Sequence, residues 1–341
     1  MLTGLIMAGI LLSLAGLLLA GANYCPAGDH FFNRENSGAM RGFWCLIVVL
    51  VHIPAAYQNR IQDMLGSFAY IGVTFFFLTS AYGLRMAAVK RPESLKWFWR
   101  NRLPKLLVPC VLTNAIGMAL RGLRGGEVAL GMMIRINGWV CWLLVCYLIF
   151  WVCYRFLPVA WRDWTVCALV AIFSLAVYLR KPETTTWCPE VLGFAWGILL
   201  SRWKDRFTSW TDKGWAWKSA ALCLLAACLG VAYMRWKGIP FWGDYVLKIV
   251  LGMAILGFLL ALNGKISIGN PVSRTLGAIS FEVYLLHGAV FFALESAFPG
   301  LNSGVFILAS LLLTILLSLA ARKLGSRILI VFDNKQQMLQ R

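Results

Sequence analysis

The sequence predicts an all-α fold, a polytopic integral membrane helical bundle of about ten or eleven transmembrane helices. Three observations carry that prediction. Of 341 residues, 60% are hydrophobic and 13% charged, with a mean hydropathy of +0.73, far from the balance of soluble domains. The apolar residues fall into runs, most of them near the ~20 residues needed to span hydrocarbon. The Lys and Arg sit in short segments between those runs, so the net charge of +18 is assigned to membrane topology. A lipid bilayer is the expected surrounding, and no nucleic acid is expected as a partner.

The elements follow in order. Residues 1–21 form an apolar run without a basic leading segment, which favours a retained first helix over a cleaved signal peptide. A polar link from Ala22 to Ala39 precedes an apolar helix expected from Met40 to Tyr57, carrying Arg41 and His52 and kinked by Pro54. Further spans are expected at Gly66–Met86, Lys105–Leu120, Gly138–Phe156, Trp164–Leu179 and Trp187–Leu200. Four more follow at Ser219–Met234, Tyr245–Leu262, Leu276–Phe298 and Val305–Ala321. No internal repeat or long linker divides the chain. The expected organisation is an extra N-terminal helix at 1–21, one membrane domain at 40–321, and a basic tail at 322–341.

Alternating these spans puts 23 Lys and Arg on one side and 8 on the other. The excess assigns the richer side, and the C-terminus, to the cytoplasm. Trp97, Trp99, Trp139, Trp142, Trp215, Trp217 and Trp242 fall at span ends, as an aromatic belt requires. Gly193 and Gly197 form a Gly-x-x-x-Gly pair suited to a close helix contact. Of the ten Cys, most lie in or beside apolar runs with no metal-ligand spacing. They read as small buried hydrophobes, and no metal site is expected.

Arg41 and His52 are eleven residues apart, three helical turns plus ~20°, so they share one face about 16 Å apart along the axis. Ionisable groups in a membrane helix mark function by default. The alternative is an interfacial Arg anchor with a His bonded to a neighbouring helix. His287 lies thirteen residues beyond Arg274 on a helix running in the same direction, which puts it at a depth similar to His52. Tyr284 shares a face with His287, whereas Glu282 does not. The stretch from Lys90 to Pro109 concentrates cations at the cytoplasmic surface, with Pro104 expected to break the helix. Arg100 and Arg102 suit a polyphosphate there, or equally a lipid-headgroup anchor.

These residues resemble the membrane-bound acyltransferase-3 family of polysaccharide O-acyltransferases. The resemblance rests on Arg41, Gly42 and His52, on Gly72-Val73-Thr74-Phe75-Phe76-Phe77-Leu78-Thr79-Ser80, on Phe98-Trp99-Arg100-Asn101-Arg102-Leu103-Pro104, and on Ser280-Phe281-Glu282-Val283-Tyr284-Leu285-Leu286-His287. The chain departs from the family pattern at Thr74, where many members carry Asp, and at Ala81, where many carry Gly. The resemblance implies transfer of an acyl group, usually acetyl, from cytoplasmic acyl-CoA to a hydroxyl of a sugar or lipid-linked glycan. No permanently bound cofactor is implied; acyl-CoA is the donor substrate. It implies His52 and Arg41 as catalytic residues, Arg100 and Arg102 as binding residues for the donor, and His287, Tyr284, Glu282 and Ser80 around them or at the acceptor. An imidazole, titrating near neutrality, suits deprotonation of a hydroxyl. A bacterial cytoplasmic membrane is implied likewise. The rival from another class is a glycan or lipid transporter or flippase, which inverted repeats and paired broken helices would mark; a membrane scaffold would need no His52.

Overall fold

The computed structural model describes residues 2–338 except 27, 29 and 181–186. Among the described residues thirteen α-helices follow in order: α1 (Leu2–Leu19), α2 (Arg34–Val51), α3 (Arg60–Gly66), α4 (Tyr70–Lys90), α5 (Phe98–Gly122), α6 (Gly138–Phe156), α7 (Val159–Arg180), α8 (Leu192–Arg202), α9 (Lys204–Asp212), α10 (Trp215–Trp236), α11 (Lys248–Asn263), α12 (Pro271–Ala297) and α13 (Ser303–Met338). Among the described residues, eight helical stretches are long and apolar enough to cross a membrane, with Gly4–Leu19 and Leu192–Arg202 as shorter apolar helices. Two two-residue strands, β1 (Asn23–Tyr24) and β2 (Ile266–Ser267), pair antiparallel.

Three local expectations need correction. The second helix starts at Arg34 because Asn33 caps it, accepting from the Asn36 backbone at 2.9 Å; Arg41 is therefore two turns inside. The same helix stops at Val51 instead of kinking onward, with His52 as its C-cap. Pro54 has no N–H to give the Leu50 carbonyl. The Gln62 amide from α3 donates to that carbonyl instead, at 2.6 Å. Third, α5 runs unbroken through Pro104 and Pro109. The break lies earlier, at Arg91 (φ −141°, ψ 77°), the extended residue that Pro92 demands of its predecessor. α13 continues past Ala321 to Met338.

Two helix crossings organise the bundle, and both rest on glycine. Parallel α2 and α12 touch backbone to backbone: a Cβ at Gly277 would lie 2.2 Å from the Gly38 carbonyl oxygen, and one at Gly42 would lie 2.8 Å from the Gly277 nitrogen. The second crossing is α8 on α4, where Gly193 and Gly197 press on the carbonyls of Thr74 and Leu78, each 2.2 Å from where a Cβ would stand. This is the close contact expected of the Gly-x-x-x-Gly pair. Ala81 meets Gly197 there, so the small residue that the family pattern expects beside Ser80 has its counterpart on the partner helix.

Polar groups lock the ends. Asn36, fully buried, accepts from the Ile268 backbone at 2.6 Å and from the Asn263 amide at 2.9 Å, joining the start of α2 to the α11–α12 link. Asn270 and Ser273 form a capping box that starts α12. Asp163, 3% exposed on α7, is held by Arg85 of α4 at 3.0 Å and Arg202 of α8 at 2.8 Å, and accepts from the Tyr154 hydroxyl of α6. Four helices thus meet on one carboxylate. Cys141, Cys223 and Cys228 are exposed instead of buried.

Candidate functional site

The site is assembled where α2, α4, α5, α6 and α12 face one another. At the basic end, a cleft of about 500 Å³ is lined by Leu84, Lys90, Arg91, Phe98, Arg102, Lys105 and Phe150, among others. Deeper, a cavity of about 150 Å³ is lined by residues including Arg41, Phe76, Ser80, Leu106, Trp139, Leu143, Tyr147 and Tyr284. The same helix faces line both spaces, stepping inward about a turn at a time. On α4 the sequence is Leu84, Ser80, Phe76; on α5, Arg102, Leu106; on α6, Phe150, Tyr147, Leu143. Each step of four residues is ~6 Å along a helix. The cation-rich mouth and the inner cavity are therefore stacked along one axis.

Beyond the cavity lie the two histidines. Tyr284 of α12 lines the cavity, and the His287 ring, one turn further, is 5.9 Å from it, centroid to centroid. His52 of α2 stands 5.2 Å from His287. The equal depth inferred from their spacing thus becomes direct contact across the glycine crossing. His52 is exposed, because it terminates α2 instead of lying within it. Its Nδ1 is 2.7 Å from the Val48 carbonyl oxygen. A carbonyl can only accept, so Nδ1 carries a proton, and in the neutral imidazole the lone pair then lies on Nε2. That tautomer is the one a base or nucleophile requires.

Arg41 is half-buried, and its Nη2 donates to the Gly277 carbonyl at 3.2 Å. Its Nε is buried without a partner among the described residues. The guanidinium therefore edges the cavity with donor capacity to spare. Arg102 lines the basic cleft. Arg100 does not; its guanidinium lies over the Trp97 ring, 5.3 Å from the centroid. Ser80 lines the cavity beside Tyr147. Glu282, 1% exposed, faces away from the cavity toward Arg322 of α13, 3.5 Å distant, as the angle between it and His287 on α12 requires.

Sequence reasoning missed Trp139 and Tyr147. Trp139, assigned to the aromatic belt, is only 6% exposed, its ring 5.3 Å from Tyr284. A signal was present: Trp139, Leu143, Tyr147 and Phe150 fall at i, i+4, i+8 and i+11, one stripe of α6, and all four line the two spaces. Asp163 was also missed, lying one residue before its expected span.

The family model described as an acyltransferase domain, of the acyltransferase-3 group, matches residues 35–323, most of the chain. No curated protein and no solved structure matches it.

Proposed function

The chain belongs to the acyltransferase-3 family and is an integral membrane acyltransferase, and from that premise we propose that it transfers an acyl group, acetyl first, from acyl-CoA to a hydroxyl of a cell-surface or lipid-linked glycan. The observation that carries the proposal is the stacked order of basic cleft, cavity and imidazole pair. The CoA phosphates bind at Arg102 with Lys90, Arg91 and Lys105, which supply the fork geometry and charge that phosphate oxygens need. The thioester arm passes into the cavity along α4, α5 and α6. On this reading the basic end faces the cytoplasm of a bacterial inner membrane, with α13 ending there.

The chemistry balances on one imidazole. His52 Nε2 takes the proton of the acceptor hydroxyl as its oxygen attacks the thioester carbonyl. The C–S bond breaks, and the thiolate leaves with the proton that His52 held. Arg41, ~16 Å from His52 along α2, lies too far off to touch the reacting carbonyl; its unpartnered Nε instead offers a donor to a phosphate or amide oxygen of the acyl-CoA arm. His287 packs against His52 and fixes its ring. Alternatively the acyl group rests briefly on His52 Nε2; that route leaves label on the protein before acceptor is added.

The test is transfer of radiolabel from acetyl-CoA in membranes holding wild type or His52→Gln at matched levels. Transfer to a glycan or glycolipid pool that vanishes in the variant supports the proposal. Transfer that persists removes His52 from the chemistry, and the absence of any thioester-dependent signal with added acceptors would sink the proposed reaction.

A further inference from the structure

A second cleft, of about 480 Å³, opens at the end of the bundle opposite the basic mouth, lined among others by Asn114, Arg121, Arg135, Asn137, Leu285 and Ala289. Its position is fixed by α5, which carries Arg102 at one end and Arg121 at the other, nineteen residues on, or ~28 Å. The two clefts thus stand at opposite ends of one helix. This one adjoins the inner cavity: Asn137 and Gly138 line the cleft while Trp139 lines the cavity, and Leu285 lines the cleft while Tyr284 lines the cavity.

Its charge runs against the topology. That end of the chain holds only 8 of the 32 Lys and Arg, yet two arginines converge on a single cleft, and no carboxylate lines it. Neither guanidinium takes part in an ion pair among the described residues. Both are positioned. Arg121 lies over the Phe292 ring at 4.6 Å, and the Asn114 amide donates to the carbonyls of Met133 and Arg135, at 3.1 and 2.8 Å, pinning the loop that carries Arg135 against α5. Topology does not call for cations here, and two held without a counter-charge beside a concave, polar surface are suited to an anion.

We infer that this cleft binds an anionic, hydroxyl-rich ligand, an acidic sugar or a sugar phosphate, through Arg121 and Arg135. The inference rests on the proposed acyl transfer only in naming that ligand as the acceptor, whose hydroxyl would then face the wall shared with the cavity. A volume of this size accommodates a small saccharide, and two guanidiniums offer bidentate bonds to carboxylate or phosphate alike.

The test is direct binding to the full-length protein in nanodiscs, without acyl-CoA, by microscale thermophoresis. The probes are tetragalacturonate, glucose 6-phosphate and neutral maltotetraose, against wild type, R121Q/R135Q and R102Q. At least one anionic probe is expected to bind wild type and R102Q alike, and to weaken tenfold or more in R121Q/R135Q; which one binds identifies carboxylate or phosphate. Single R121Q and R135Q variants with wild-type thermal midpoints guard against misfolding as the cause. Binding by neither anionic probe would overturn the inference, as would loss in R102Q alone or equal binding of maltotetraose. Because no thioester is present, binding with no acyl transfer would leave this site standing and remove only the proposed reaction.

Discussion

Gly277→Ala perturbs the crossing on which the two histidines depend. The added Cβ would stand 2.2 Å from the Gly38 carbonyl oxygen and 2.6 Å from its carbon, whereas ordinary contact begins at 3.4 Å. Both obstacles are backbone atoms, so no rotamer can relieve them, and α2 and α12 must part by roughly 1 Å in a close-packed interior. His52 lies ten residues beyond Gly42 and His287 ten beyond Gly277, about 15 Å along two parallel axes. Separation at the crossing is therefore carried to the ring pair, which widens from 5.2 Å. Overpacking costs ~1–3 kcal/mol of stability, and a misplacement of ~1 Å at reacting groups costs about a hundredfold in rate. The assay is acyl transfer at matched protein level, with the thermal midpoint measured in detergent. Gly83→Ala is the control, since a Cβ there meets nothing within 4 Å and Ala favours an exposed helix position by up to ~1 kcal/mol. Wild-type transfer and stability in Gly277→Ala, or equal losses in both variants, would refute the reasoning.

Other outcomes follow from the same geometry. Arg102→Ala raises the acyl-CoA concentration needed for half-maximal transfer about tenfold or more while leaving the maximal rate within a fewfold, because it removes a charged bond to donor that is remote from the reacting carbonyl; a rate loss at saturating donor would argue against that placement. Asp163→Asn leaves Arg85 and Arg202 without their carboxylate and lowers stability by about 3–5 kcal/mol, read as a fall in thermal midpoint. Gly193→Ala forces α8 off the Thr74 carbonyl and lowers the midpoint by the ~1–3 kcal/mol of overpacking, whereas an unchanged midpoint would mean that the α4–α8 crossing is loose.

Hydropathy carried most of the fold, because a span must present apolar side chains whatever it packs against. Helix ends were less legible. Asn33 is an ordinary capping residue, yet it stood in a polar link and was read past; Pro54 was recognised, but the donor that replaces its missing N–H comes from Gln62, on another helix. Pro92 and Pro104 carry the same local rule, and the helix broke at the first and ran through the second, a choice made by what surrounds each. At the site, spacing along single helices gave the depth of His52 and His287 and the opposite facing of Glu282. Which helices adjoin could not be read that way. Trp139 and Tyr147 join the cavity, and Asp163 gathers two arginines, only through contacts between helices far apart in sequence.

The α2–α12 crossing also orders events during synthesis. Arg41 finds the carbonyl of a residue 236 positions later in the chain, and β1 pairs with a strand that follows eleven of the thirteen helices described. A nascent chain can insert helix after helix while the partner of α2 is still on the ribosome. Until α12 emerges, His52 has no neighbouring imidazole and Arg41 has no Gly277 carbonyl to bond. A chain interrupted before Pro271 would carry the residues of the basic cleft but lack the wall of the inner cavity that Ser280, Phe281 and Tyr284 supply.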